Sequence, residues 1–323
     1  MTNKICIISV YFGSLPNYFP LWRRTAANNP TVDFIIFTDQ QVNALADNVK
    51  IVPMTLAEMR ERASKELEFE ACLATPYKCC DYKPLYGVIF SDFVGHYDYW
   101  GHCDLDLMFG DLQAFFDRYH LYDYDRFLAL GHLSLYRNTA EVNSRYRCDG
   151  SWKDYKTVFS SPEIFVFDEL PGMTALYQKN GFSIFVGNLF ADIGTVHHRF
   201  VRGETYPLDK PVENASRQTF YWENGKTFRA AVTESGIVTE EFLYIHFQKR
   251  PNFEIPDDVW NGNAFYITPN GFVAKRGEVT AEDIDATNPY PGARKERWEL
   301  FRFRAGYYKK AVARRLKRIF KGK

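Results

Sequence analysis

Two aspartates one residue apart, Asp104 and Asp106, follow the apolar and aromatic run Tyr99-Trp100-Gly101-His102-Cys103. Carboxylates at the end of a buried strand are costly unless a cation lies between them. A hard divalent ion, Mn2+ or Mg2+, takes oxygen ligands and supplies that charge, and it can hold a diphosphate at the same time. Gly110 and Asp111 break the run, and Asp111 is placed to cap a helix over 112–119. The competing use of the aspartate pair is to cap the turn that follows it.

Presenting such a pair takes a sheet. Residues 4–11 are rich in Val and Ile and are bounded by Gly13 and Pro16, the pattern of a buried strand. Phe19, Trp22 and Ala26 recur at helical spacing within 17–28, and 33–38 reads as a second strand. Strand, helix and strand in about 35 residues predict a βαβ unit with parallel pairing. Ligands of open α/β sheets gather beyond the carboxyl ends of the strands. Tyr11 and Phe12 end the first strand, and Thr38 and Asp39 end the second. They are candidates for a nucleoside, Tyr11 by stacking on the base and Asp39 by accepting from base or ribose. Core packing and helix capping are the alternatives.

Further along, the capping box Thr55-x-x-Glu58 opens a helix to about residue 68. Asp81 is expected to cap another, with Pro84 in its first turn. Residues 127–135 and 163–167 read as strands, the second ending in Asp168-Glu169, and a helix is expected over 173–179. Asn224-Gly225 and Pro269-Asn270-Gly271 mark hairpins, and 241–248 reads as a strand through His246. These elements predict an α/β fold, a mixed sheet with helices on both faces and added late hairpins. They form one domain over 1–290, followed by a basic amphipathic helix over 291–323.

The composition is that of a globular protein, with 17% aromatic residues among 323 and a formal net charge of zero. That neutrality hides an asymmetry. From Arg294 to Lys323 there are 13 Lys and Arg against 2 Asp and Glu, so the rest of the chain is acidic. Trp298, Phe301, Ala305, Tyr308, Val312, Leu316 and Ile319 step by three or four along this tail. A basic amphipathic helix of this kind lies on anionic lipid; docking on the domain or on RNA are the other uses weighed, and no nucleic-acid partner is expected. The run 5–12 is too short for a membrane span and lacks a cleavage pattern. The six cysteines form no C-x-x-C pair, so a zinc knuckle is not expected and reduced thiols in the cytoplasm are.

Four stretches, Ile8-Ser9-Val10-Tyr11-Phe12-Gly13, Asp81-Tyr82-Lys83-Pro84, residues 99–112 and Leu243-Tyr244-Ile245-His246-Phe247-Gln248-Lys249, resemble in type and order the GT-A-fold glycosyltransferases. They also resemble a bacterial group of such enzymes from capsule and O-antigen gene clusters. The likeness covers most of 5–250. It implies a nucleotide-sugar donor of the UDP type, a Mn2+ or Mg2+ ion on Asp104 and Asp106, and a late histidine, His246, completing the metal shell. It implies further that Lys83, Lys249 and Arg250 meet the phosphates. An inverting enzyme needs a base for the acceptor hydroxyl, and Asp168 or Glu169, then Asp192, are the candidates; a retaining enzyme needs none of them in that role. His197-His198 is a weaker metal candidate than His246, because neighbours on a strand face opposite ways. The acceptor implied is a saccharide or glycolipid precursor at the inner face of the cytoplasmic membrane. Two other readings keep the aspartate pair: a metal-dependent phosphohydrolase, and an inactive glycan-binding protein of the same fold.

Overall fold

The computed structural model describes residues 3–43, 46–203, 212–248, 250 and 253–321, without the side chains of 307 and 310–321. Its strands are β1 (Ile5–Tyr11), β2 (Val32–Thr38), β3 (Val49–Pro53), β4 (Tyr99–Cys103), β5 (Leu107–Phe109), β6 (Arg126–Leu130), β7 (Leu133–Arg137) and β8 (Ile184–Phe185). Then come β9 (Ala191–Asp192), β10 (Gln218–Glu223), β11 (Lys226–Thr233), β12 (Gly236–Phe242), β13 (Tyr244–His246), β14 (Ala264–Thr268) and β15 (Gly271–Ala274). A seven-stranded mixed sheet runs in the order β3-β2-β1-β4-β7-β6-β8. The strands from β3 to β4 are parallel, and β7 is antiparallel to both β4 and β6. An antiparallel sheet of order β12-β11-β10-β14-β15 contains both expected hairpins, and β5-β13-β9 forms a third.

The central strands are apolar on both sides because both faces are covered. On β1, Ile5 and Ile7 join Phe19 and Trp22 of the helix Phe19–Ala27 and Phe115 and Phe116 of the helix Leu112–Arg118. Cys6 and Ile8 point the other way, onto Met59, Ala63 and Leu67 of the helix Leu56–Leu67. The period of two along the strand thus feeds two cores. A third core lies under the antiparallel sheet, where Phe220, Trp222 and Phe265 meet Met108 and Ile245. Much of the aromatic content is buried across these three cores, at about 1.5–3 kcal/mol for each large side chain fully buried.

Several expected elements differ. Residues 127–135 are two antiparallel strands, β6 and β7, joined at Gly131-His132. Residues 241–248 are also divided: the chain bends at Leu243, and its second part, β13, joins another sheet. Residues 163–167 form no strand. Their backbone is tied down by Asp81, which is not a helix cap as expected. It lies within the short helix Cys79–Tyr82 with its carboxylate fully buried. It accepts from the backbone N–H of Phe165 (3.0 Å) and Phe167 (2.9 Å) and pairs at 2.8 Å with Lys78, itself fully buried. An apolar run that reads as a strand becomes a strap because a side chain takes the place of a neighbouring strand.

The terminal helix runs Ala293–Lys321. Its start is held by Glu296, paired to Arg199, and by Glu299, which lies 3.2 Å from His197. No helix among the described residues is long and apolar enough to cross a membrane.

Candidate active site

β4 carries Asp104 to the edge of a cavity of about 1120 Å³. Its five residues are all buried, and the Asp104 N–H is fixed by the His132 carbonyl at 3.0 Å. The chain turns through buried Leu105 and re-enters a sheet as β5, so Asp106 stands between two elements. β13 is the middle strand of that sheet. Its His246 is in register with Leu107 of β5 on one side and with Asp192 of β9 on the other. The pairing therefore brings Asp106, His246 and Asp192, far apart in sequence, into one row. Gly110 permits this approach, since a Cβ there would lie 2.6 Å from the Phe242 carbonyl oxygen.

The ligand atoms of Asp104, Asp106 and His246 lie within 4.8 Å of one another. His246 Nε2 is 3.3 Å from Asp106 Oδ1, and its Nδ1 is 2.8 Å from Asp192 Oδ1. A carboxylate on Nδ1 fixes the ring so that Nε2 turns its lone pair toward the other two acids, the usual support for a metal-bound imidazole. Two carboxylates and an imidazole suit Mn2+ or Mg2+, so the residues fit the ion expected from the sequence. Without a cation, burial opposes charge on His246, but Asp106 and Asp192 outweigh it and raise its pKa to about 10. Its proton then occupies the position where a metal would neutralise the same acids. Burial also opposes charge on Asp192, yet His246, His132 and Gln248 hold its carboxyl down at about 2.

Lys83 links this group to the other carboxylates. Its Nζ lies 2.7 Å from Asp104 and 3.1 Å from Asp168 and donates to the Gly131 carbonyl at 2.8 Å. Three acceptors meet its three donors. Burial would lower its pKa, and the two acids reverse this and hold it well above the ordinary value. Asp168 is 2% exposed, and burial pushes its carboxyl up against the pull of Lys83. Gly131 makes room for it: a Cβ at 131 would lie 2.1 Å from Asp168 Oδ2.

Glu169 lines the cavity beside Asp168, and burial, then the Asp168 charge, push its carboxyl from 4.5 to about 7. The folded chain therefore binds more protons than the unfolded chain between those values, and stability falls as pH rises through that window. Glu169→Gln has no proton to lose there. It should match the parent near pH 4.5 and exceed it by about 3 kcal/mol at pH 8, measured as the difference in urea-unfolding free energy. A difference that does not change with pH would contradict the assignment.

The other expected residues are distributed as follows. Tyr11, Phe12 and Arg250 line the cavity with the metal candidates. The Arg250 guanidinium donates to the Phe247, Gln248 and Gly194 carbonyls and lies 4.7 Å from the Phe200 ring centre. Thr38 is buried and Asp39 is exposed; Asp39 accepts from the Gly13 N–H at 2.9 Å, and neither residue lines the cavity. Lys249 lies outside the described residues. His197 faces the terminal helix.

Sequence reasoning passed over two residues. Gln248 donates to Asp192 Oδ1 at 2.6 Å. His132, 5% exposed, has its Nδ1 2.7 Å from the Tyr244 hydroxyl and its ring centre 4.4 Å from that of His246. It forms a second ligand group with Asp192 and His246. The available signal was Gly131-His132 itself, a turn dipeptide between two apolar runs.

A search of curated proteins finds no match to this chain. Among solved structures, mouse xyloside xylosyltransferase 1 in its apo form is similar at 9% identity and a TM-score of 0.36, over 59% of this chain and 88% of that one. The galactosyltransferase LgtC in complex with donor and acceptor sugar analogues is similar at 10% identity and a TM-score of 0.35, over 76% and 87%. An active-site mutant of LgtC gives 9% and 0.38 over the same shares. These are remote likenesses. The family model described as a family of unknown function, DUF6625, matches residues 7–276, which include every residue of the cavity described above, and the chain belongs to that family.

Proposed function

We propose that the chain is a metal-dependent glycosyltransferase of the GT-A type. It moves a sugar from a nucleotide diphosphate donor, of the UDP class, to a saccharide or glycolipid acceptor. The observation that carries this reading is the meeting of Asp104, Asp106 and His246 on the wall of a cavity large enough for a nucleotide sugar. Mn2+ or Mg2+ on those three residues supplies Lewis-acid charge to the departing diphosphate. Asp192 orients His246. With a carboxyl held near 2 it is a poor base at neutral pH, and Asp168 is committed to Lys83. The base role falls to Glu169, whose value of about 7 suits proton transfer near neutrality. In an inverting reaction its carboxylate takes the proton of the acceptor hydroxyl as that oxygen bonds to the anomeric carbon and the diphosphate oxygen leaves. Tyr11 and Phe12 serve the nucleoside, and Arg250 and Lys83 add positive charge beside the acids.

The test is a thermal-shift and nucleotide-release screen of UDP-, GDP- and dTDP-sugars with Mn2+, with p-nitrophenyl phosphate as the phosphomonoester control. One sugar-nucleotide class should raise Tm in the presence of Mn2+ only; saturation at 100 Kd corresponds to about 2.7 kcal/mol. Phosphomonoester turnover without any sugar-nucleotide response would favour the phosphohydrolase instead.

The terminal helix is read as a peripheral anchor on an anionic membrane. Supporting this, Trp298, Phe301 and Tyr308 are each more than half exposed along a helix rich in Lys and Arg. Each basic group near such a surface contributes on the order of 1 kcal/mol. Flotation with phosphatidylglycerol–phosphatidylethanolamine vesicles should therefore be lost when the chain is truncated after Pro291. Equal flotation with and without the helix would remove the claim.

A further inference from the structure

The cavity lining includes two chemically different groups of side chains. One comprises Asp104, Asp106, Asp192, His246 and Arg250. The other comes from the strap 163–167 with Leu170 and from the turn Pro76–Lys78, and it presents apolar side chains. Alternation explains how. Asp81 fixes the N–H groups of Phe165 and Phe167, whose rings go into the core, so Ile164 and Val166 face the opening and are 41% and 39% exposed. Lys78 ties the turn to the strap through the Val158 and Glu163 carbonyls. This places Tyr77, 58% exposed, on the same lip, and Leu170 completes it at 37%.

This arrangement is costly. Four large apolar side chains are exposed at one cavity, and Val166 holds a φ of 53°, a left-handed conformation that β-branched residues rarely adopt. Strain and apolar exposure of this kind concentrate where a ligand is handled. Asp168 and Glu169 lie in sequence between Val166 and Leu170, so the lip flanks the carboxylate assigned as base. Charge separates the occupants: the acidic, metal-binding group suits a diphosphate, and an uncharged lip suits an uncharged, apolar ligand.

We propose that Tyr77, Ile164, Val166 and Leu170 form the acceptor subsite, and that it takes a sugar joined to a hydrocarbon aglycone, as in a glycolipid, in preference to a free saccharide. This rests on the transferase reading for the word acceptor, and the experiment separates the two. Binding of n-octyl β-D-glucoside, below its micelle concentration, is compared with binding of methyl β-D-glucoside by saturation-transfer NMR and titration calorimetry on the full chain. The octyl ligand should bind at least tenfold more tightly, with its alkyl protons receiving the saturation. Ile164→Ser/Leu170→Ser should erase that preference, and so should Tyr77→Ala on the turn Pro76–Lys78. UDP with Mn2+ is titrated in parallel. If it binds and the octyl and methyl ligands do not differ, the subsite is overturned while the transferase reading stands. If the octyl preference is present and UDP does not bind, the lip is a hydrocarbon site and not the acceptor subsite of a UDP-sugar transferase. An octyl preference that survives both sets of substitutions would also overturn the assignment to these residues.

Discussion

Replacing Asp106 by Asn is expected to abolish Mn2+ binding in the cleft and to lower metal-dependent donor turnover by at least about a hundredfold. The substitution keeps the shape and one oxygen but removes the charge. Asp106 Oδ1 is the oxygen facing His246 Nε2, so the ion would lose one of three ligands and the charge that makes the pocket attractive to a dication. The fold should survive, because β5 and β13 pair through the backbone of residues 107–109 and 244–246 and not through this carboxylate. Calorimetry with Mn2+, then with Mn2+ and UDP, reads the effect directly. Isotherms matching the parent would place the metal elsewhere or nowhere.

Replacing Asp81 by Ala is expected to cost about 3–5 kcal/mol of stability, the range found when one partner of a buried ion pair is removed. That is a large share of the roughly 5–15 kcal/mol that holds a domain together. Both members are fully buried, so the Lys78 ammonium would be left without its counter-charge. The backbone N–H groups of Phe165 and Phe167 would lose their acceptor as well. Urea unfolding measures the loss, and a change under 1 kcal/mol would contradict the account. Function should suffer too, because the strap places Asp168 and Glu169. A variant that still folds in the cold should retain Mn2+ binding and lose transfer.

What the sequence made legible was local. The βαβ start could be read because Ile5–Tyr11 and Val32–Thr38 are apolar runs flanked by turn residues and joined by a short amphipathic helix. The Asn224-Gly225 hairpin and the Thr55 capping box could be read because their signals lie within four residues. The aspartate pair was legible as chemistry because two adjacent carboxylates on a buried run demand a cation. His246 entered only through resemblance, since its proximity to Asp106 depends on β5 pairing with β13 across more than a hundred residues.

What the sequence left illegible depends on distant parts of the chain. Residues 163–167 have strand-like side chains, but a distant carboxylate, Asp81, supplies their hydrogen-bond partner, and no local rule anticipates that. Gly131-His132 was absorbed into a strand because the apolar residues on either side outweighed the turn signal, and His132 was passed over with it. Lys83, expected to face phosphates, does line the cavity. Its position between Asp104 and Asp168 follows from packing of the short helical segments 79–85 against the sheet, which periodicity over so few residues does not encode.

The most direct test of the account is to locate the ion. Crystals grown with Mn2+ and UDP should give one strong anomalous peak at the manganese edge, within about 2.0–2.4 Å of Asp104, Asp106 and His246 Nε2, with the diphosphate on its open side. An anomalous peak away from these three side chains, or UDP bound elsewhere with no ion between the aspartates, would contradict it.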